Sequence, residues 1–333
     1  MGSGMICTKE ALLAVVISLE KLEEAKEIAR LDDIGATKSV LSAVAKEKVA
    51  QILAHYPEDL GYIKRRLEER FDIARVLPNA KSVIVGVLSY LDETKGIEAL
   101  DKGCGFISRF AWGKDYHEVM MAKMEVVANM LRQMGAKTKL YVDTGPVMEK
   151  VLAVQAGLGF MGKNTLFVHP VFGSFVFLGV IITDAIVEPA KIQPLVSKCG
   201  SCALCMGACP TSALSKPFVL DPQICIAHLT VSAKNPVPPE LGKKLKGNLF
   251  GCDICQDVCP FNKNAQRTWH SEFEPRKGVY MPKLKQILAM TEKEYKTIFK
   301  DTPVLRRPLW LLKDTAALLQ AQDEENESEC EQQ

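Results

Sequence analysis

Neither sign of charge dominates this chain: 42 lysines and arginines stand against 40 aspartates and glutamates, a net charge of +2 over 333 residues. That balance demands no nucleic-acid partner, and any such binding has to use local basic patches. Long apolar runs are missing too. Ala11–Leu19 is apolar but too short to span a bilayer, and it runs directly into Glu20-Lys21-Leu22-Glu23-Glu24. It reads as the first helix of a fold, and neither a membrane segment nor an export signal is expected. Met1-Gly-Ser-Gly-Met5 reads as an expression scar before a natural start at Met5. A P-loop is also absent. Gly157-Leu-Gly-Phe-Met-Gly162-Lys163-Asn164-Thr165 sets glycines beside a lysine, yet the spacing fails G-x-x-x-x-G-K-[ST]. A loop approaching a ligand and a simple tight turn fit it equally. Beyond two groups of cysteines there is no internal repeat.

Cysteine is what the chain does have, and it is concentrated. Eight of the 11 cysteines lie between Cys199 and Cys259. Cys199, Cys202, Cys205 and Cys209-Pro210 follow C-x2-C-x2-C-x3-C-P, the spacing with which two-cluster bacterial ferredoxins wrap cubane clusters. A lone Cys225 precedes the second group, Cys252, Cys255 and Cys259-Pro260. In that pattern three closely spaced thiolates converge on one cluster, while the cysteine before proline ligates the other. Cys199, Cys202, Cys205 and Cys259 are thus assigned to one 4Fe–4S cluster, and Cys209, Cys225, Cys252 and Cys255 to a second. Paired C-x2-C motifs also serve structural zinc, but two triple-cysteine runs ending in Cys-Pro fit it poorly. A disulfide framework fits worse, and oxygen-sensitive thiolate ligands make the cytoplasm the expected compartment.

The remainder reads as a soluble globular composition, 47% hydrophobic and 25% charged, long enough for two domains. Residues 8–76 are helical in pattern, and Lys64–Arg70 is strongly charged, by default a solvated helix face. Ser82–Leu91 is a continuous apolar run expected to be a buried strand. A glycine-rich segment, Gly103–Gly113, carries Ser108, Arg109 and Trp112. A helix is expected from about Lys114 to Met134, closed by Gly135. Thr138–Val142 reads as a strand that delivers Asp143 into a Gly-Pro turn. Such a carboxylate suits a catalytic acid, although its own context fits a plain turn or cap aspartate better. Val147–Gly157 reads as a helix and Gly173–Thr183 as a strand. Val187–Ser197 is a linker, residues 281–321 are helices broken at Pro303 and Pro308, and Asp323–Gln333 is an acidic stretch expected to fray. The fold class is α+β: an N-terminal α/β domain over 6–190, a ferredoxin-like domain over 191–265, a short helical segment over 266–322 and a disordered tail over 323–333.

Two clusters in series make a wire for electrons. A pure carrier has no need of so large a preceding domain. An oxidoreductase with its active site within residues 80–185 is therefore favoured.

Several strings, read together, carry a resemblance. They are Ile107-Ser-Arg-Phe-Ala-Trp-Gly-Lys-Asp-Tyr-His117, Val142-Asp-Thr-Gly-Pro-Val-Met-Glu149, Ala156-Gly-Leu-Gly-Phe-Met-Gly-Lys-Asn-Thr165 and Gly173-Ser-Phe-Val-Phe-Leu-Gly179. Cys225-Ile-Ala-His-Leu-Thr230 and Gly251-Cys-Asp-Ile-Cys-Gln-Asp-Val-Cys-Pro-Phe-Asn262 complete the set. From about Arg66 to Asn262 the chain resembles the epoxyqueuosine reductases, which perform the last step of queuosine biosynthesis in tRNA and are related in chemistry to reductive dehalogenases. The resemblance implies cobalamin in the N-terminal domain and two 4Fe–4S clusters. It implies Asp143 as the general acid, which requires a raised pKa in a water-poor pocket. It implies cofactor contacts from Arg70, Ser108, Asp143, Gly162, Lys163, Asn164 and His228, with Asp115 and His117 either capping a helix or touching ligand. The partners implied are a tRNA anticodon loop, tracked by Lys243, Lys244 and Lys246, and an external low-potential electron donor; a monomer is expected and no membrane. His228 replaces the family's usual tyrosine, Thr144-Gly145 replaces Ser-Ala, and the C-terminal part is short. These departures keep open a reductase of the same architecture acting on a small molecule.

Overall fold

A computed structural model describes residues 15–54, 66–188 and 196–331. The strand Ser82–Ser89 lies at its centre, buried at every position. It pairs antiparallel with Asp33–Lys38 on one side and with Val176–Thr183 on the other; Thr138–Tyr141 completes the four-stranded sheet as the far edge. A strand apolar on both faces needs cover on both. Ile84 and Leu88 point into a core built with Met120, Met124, Val127 and Leu131 of the helix Tyr116–Gln133, beside which the helix Leu19–Ala29 packs. Val83, Val85 and Val87 point the other way, towards Leu152 and Ala153 of the helix Glu149–Gln155. Gly86 and Gly179 face each other across the sheet, and a Cβ on either would strike Met124 or Met120. Their bareness lets the long helix sit close.

Asp115 caps that helix, its carboxylate accepting from His117 N at 3.0 Å, and Gly135 follows its end at φ 92°. The expectation of helix throughout residues 8–76 fails in two places. Val16–Ile17 forms a short strand parallel to Ile186–Val187, and Asp33–Lys38 is the sheet's edge strand. Ile34-Gly35-Ala36-Thr37 has little intrinsic preference, and the open hydrogen-bonding edge of Ser82–Ser89 decides its conformation. Ser18, whose Oγ accepts from Lys21 N, starts the first helix only at Leu19. The start at Met5, Lys64 and Arg65, and most of the Val187–Ser197 linker lie outside the described residues.

A second core forms around Phe106, Trp112, Phe250, Phe299 and Leu312. Phe106–Ile107 pairs parallel with Asn248–Phe250, so the glycine-rich segment, the stretch after Cys225 and the last helices share one interior. The final helix runs from Leu309 to Glu331 and includes most of the acidic stretch expected to fray. Its first turns are anchored by buried Leu312, Ala316 and Leu319, and alanine, glutamine and glutamate carry the helix onward at low cost. Asp323 also accepts a hydrogen bond from Gly103 N at 3.1 Å. Among the described residues no helix is long and apolar enough to cross a membrane.

The cluster loops are locked to the sheet domain by buried polar groups. Asp253, 0% exposed, accepts from Ser108 Oγ at 2.6 Å and from Arg109 N at 2.9 Å. The Arg109 guanidinium reaches Asp253 at 3.4 Å and Asp257 at 2.6 Å. Nearby, Asn262 accepts from Ser174 N, and Ser174 Oγ donates to Gln256 Oε1 at 2.8 Å. Asp253→Ala leaves buried donors unmatched and should cost about 3 kcal/mol. The check is the denaturant midpoint of the anaerobic holoprotein, which should fall; an unchanged midpoint contradicts the interlock.

Candidate active site

The cysteines gather into two sets. Cys199, Cys202, Cys205 and Cys259 line a cavity of ≈ 190 Å³ together with Phe261. Cys205 is pushed up by burial and then by the charges of Cys199 and Cys259, which brings the distant Cys259 into the first loop's company. Cys252 is raised by burial and by its neighbours Cys255 and Cys225, and Cys225 by burial and Cys209. The structure thus brings together the two crossed foursomes expected from the spacing. Among the described residues no three ligating side chains converge as they would on a single ion. The first set lines a space instead, and this fits a cubane, whose four irons hold their thiolates apart.

The loop Gly162-Lys163-Asn164 belongs to this neighbourhood. Lys163 Nζ donates to the carbonyls of Gly200 at 2.7 Å and Cys202 at 2.8 Å. Asn164 is buried, and its side chain hydrogen-bonds Cys255. Ser108 is likewise turned inward on Asp253. These residues, expected along the cobalamin site, contact the cluster loops and their support, because a glycine-rich pattern announces a close approach without saying to what. His228 opens a π-helical turn, His228–Ser232, and its backbone N–H points to Cys225. Arg70 donates to Val147 O at 3.0 Å, and its Nε is buried without a partner. Of the three lysines expected to track phosphates, Lys243 pairs with Glu325 at 2.8 Å.

Asp143 lies at the end of the Thr138–Tyr141 strand with φ 58°, a left-handed conformation that asparagine and aspartate tolerate best. The turn is tight: a Cβ on Gly145 would meet the Tyr141 ring at 2.5 Å. The result is a carboxylate aimed into a cavity of ≈ 180 Å³ walled by Phe110, Tyr116, Glu149, Lys150 and the strand residues Val176–Leu178. Tyr116 Oη donates to Asp143 Oδ2 at 2.8 Å. His117 Nε2 stands 3.5 Å from the same oxygen, while its Nδ1 is 2.6 Å from Asp115 Oδ1. Arg306, from the C-terminal segment, reaches Asp115 at 3.4 Å. A line of alternating charge therefore runs from Arg306 through Asp115 and His117 to Asp143.

Hydrogen bonding to His117 holds the Asp143 carboxyl below the usual range, against the opposing effect of burial and with help from Tyr116. Burial pulls His117 down, but its bonds to Asp115 and Asp143 outweigh it and leave the imidazole above its ordinary value. Both shifts favour the charged forms, the carboxylate of Asp143 and the imidazolium of His117. This corrects the expectation of a raised Asp143 pKa: the side chain lies deep in the fold yet is 63% exposed to the open cavity, so solvent and His117 stabilise its charge. Glu149 goes the other way, raised by burial to about 7. Lys150 is lowered by burial and feels Asp143 and Glu149 on one side, Cys255 and Cys225 on the other. Tyr116, Glu149 and Lys150 were not singled out as site residues from sequence. The signal available was the place of Tyr116 in the string ending at His117 and of Glu149 in the string that holds Asp143, with Lys150 the next residue.

Residues 198–262 match the 4Fe-4S double cluster binding domain, and residues 70–144 match the epoxyqueuosine reductase QueG family, DUF1730. The epoxyqueuosine reductase of Synechocystis sp. is 38% identical over 270 residues, 80% of this chain and 91% of that protein. That of Bacillus subtilis is 36% identical over 288 residues, 84% of this chain and 72% of its own length. A crystal structure of epoxyqueuosine reductase with an epoxyqueuosine-modified tRNA stem loop has a TM-score of 0.83 at 34% identity, covering 92% of this chain and 82% of that one. The chain belongs to the epoxyqueuosine reductase family.

Proposed function

We propose that this chain reduces epoxyqueuosine in tRNA to queuosine, with Asp143 delivering a proton to the epoxide oxygen. The observation that carries this reading is Lys150, within electrostatic reach of Asp143 in the cavity and of Cys225 and Cys255 at the second cluster. A proton donor and an electron source thus meet across one side chain. Deoxygenating an epoxide to an alkene needs two electrons and two protons and releases water. The two cysteine sets would hold the 4Fe–4S clusters, and these would supply electrons one at a time from an external low-potential donor.

Cobalamin fits the cleft. Val176, Phe177 and Leu178 offer an apolar wall, and Arg70 Nε is a buried donor still without a partner. Those residues would hold it, and the cobalt would supply a strongly reducing two-electron centre. The chain's own side chains manage the protons. Asp143, ionised at rest, must take a proton before it can give one, and His117 is the group poised to supply it. Tyr116 holds the carboxylate in line. The relative solved with a modified stem loop binds that RNA; here an anticodon-loop base splayed into the cavity is the corresponding substrate.

Asp143→Asn should keep iron content and cluster absorbance while lowering single-turnover formation of queuosine in an anticodon stem-loop at least 100-fold, roughly the worth of a placed acid. Nucleoside mass spectrometry reads the loss of oxygen, and full activity in the variant refutes the assignment. His117→Gln should slow the same turnover by about 10-fold or more with clusters intact. Cys255→Ser should lower iron and sulfide per chain and abolish turnover, whereas wild-type iron content would remove Cys255 from the second cluster.

A further inference from the structure

We infer that Glu149 is a second catalytic acid of the cavity, giving the proton with which the epoxide oxygen leaves as water. The inference rests on the proposed epoxide reduction, whose balance needs two protons while Asp143 can carry one at a time. Protonation of the ring oxygen accompanies breaking of the first C–O bond and leaves a hydroxyl. The second C–O bond breaks as that hydroxyl takes the proton from Glu149 and departs as water. Two electrons from the external low-potential reductant complete the carbon–carbon double bond. Glu149 is left as a carboxylate and is reprotonated from solvent through the open cavity.

Geometry places the group for this. Glu149 begins the helix Glu149–Gln155 and lines the same cavity wall as Asp143 and Lys150. Its Oε1 is buried and finds no hydrogen-bond partner. A buried carboxylate oxygen without a donor is costly as an anion and much less so as an acid. The charged groups facing it are Asp143 from the turn after the edge strand, Arg70 from the helix Leu67–Phe71 and Lys150 from its own helix. Burial, with help from Asp143, opposes ionisation and outweighs the bond from its own backbone N–H and the charges of Arg70 and Lys150, which favour it. Two carboxyls of one cavity are therefore driven in opposite directions, Asp143 towards the anion beside His117 and Glu149 towards the acid. Environments that separate two acids in this way allow each a different task.

The test compares the anaerobic holoenzyme with Glu149→Gln and Glu149→Asp. Gln keeps the shape and cannot release a proton, so a role in packing alone would survive the change. Queuosine formation in the epoxyqueuosine stem-loop should fall about 100-fold in Glu149→Gln with iron content unchanged, and recover in part in Glu149→Asp. Independently of substrate, infrared difference spectra should carry a protonated-carboxyl band, present below and lost above about pH 7, that is missing in Glu149→Gln. Wild-type turnover in Glu149→Gln, or a wild-type spectrum without that band, overturns the inference while leaving the epoxide reduction standing. A wild-type enzyme that keeps the band yet makes no queuosine overturns the proposed reaction, and the role of Glu149 falls with it.

Discussion

The structure depends on one buried carboxylate. Asp253 sits between Cys252 and the Ile254–Asp257 helical turn, and it is held by Ser108 and Arg109 from the glycine-rich segment of the sheet domain. Removing a charge from water is tolerable only where its partners are fixed and complete. Asp253 therefore demands a single arrangement of cluster loop against sheet. Gln256 and Asn262, on either side of Cys259, repeat the arrangement with Ser174. These contacts set the distance between the cluster loops and the cavity around Asp143.

Electrostatics within the cavity follows from that docking. Lys150 lies between the acids and the second set of cysteines, so its charge answers to both. The Arg306-to-Asp143 line begins on the C-terminal segment, which packs into the second core with Trp112 and Phe106. Removing a proton from His117, or adding one to Asp143, thus changes a charge pattern that spans all three parts of the molecule. Low dielectric and fixed partners make such a line responsive where the same groups in water would act singly.

Much of this was legible before any coordinates. Cysteine spacing pointed to the double-cluster domain that residues 198–262 match, since a thiolate ligand needs a particular residue type at a particular interval. The buried strands announced themselves by unbroken apolar runs, and Asp115 and Gly135 marked the ends of the long helix. Less was legible where partners lie far away in the chain. Asp33–Lys38 is a strand because an edge was open to it. Ser108 and Gly162–Asn164 were expected along the cobalamin site, whereas the partners of Ser108, Lys163 and Asn164 in the fold are Asp253, Gly200, Cys202 and Cys255.

The sequence by itself determined the chemistry at hand: the eight thiolates, the acid at a strand end and the strings that mark the family. Residue type and local spacing carry those, because ligation and turn geometry are short-range. Only the tertiary structure decided the protonation of the site. Whether Asp143 is ionised and Glu149 neutral depends on His117, Tyr116, Arg70 and Lys150, and on how much water each carboxyl retains. Those are distances across the fold, and no interval along the chain encodes them.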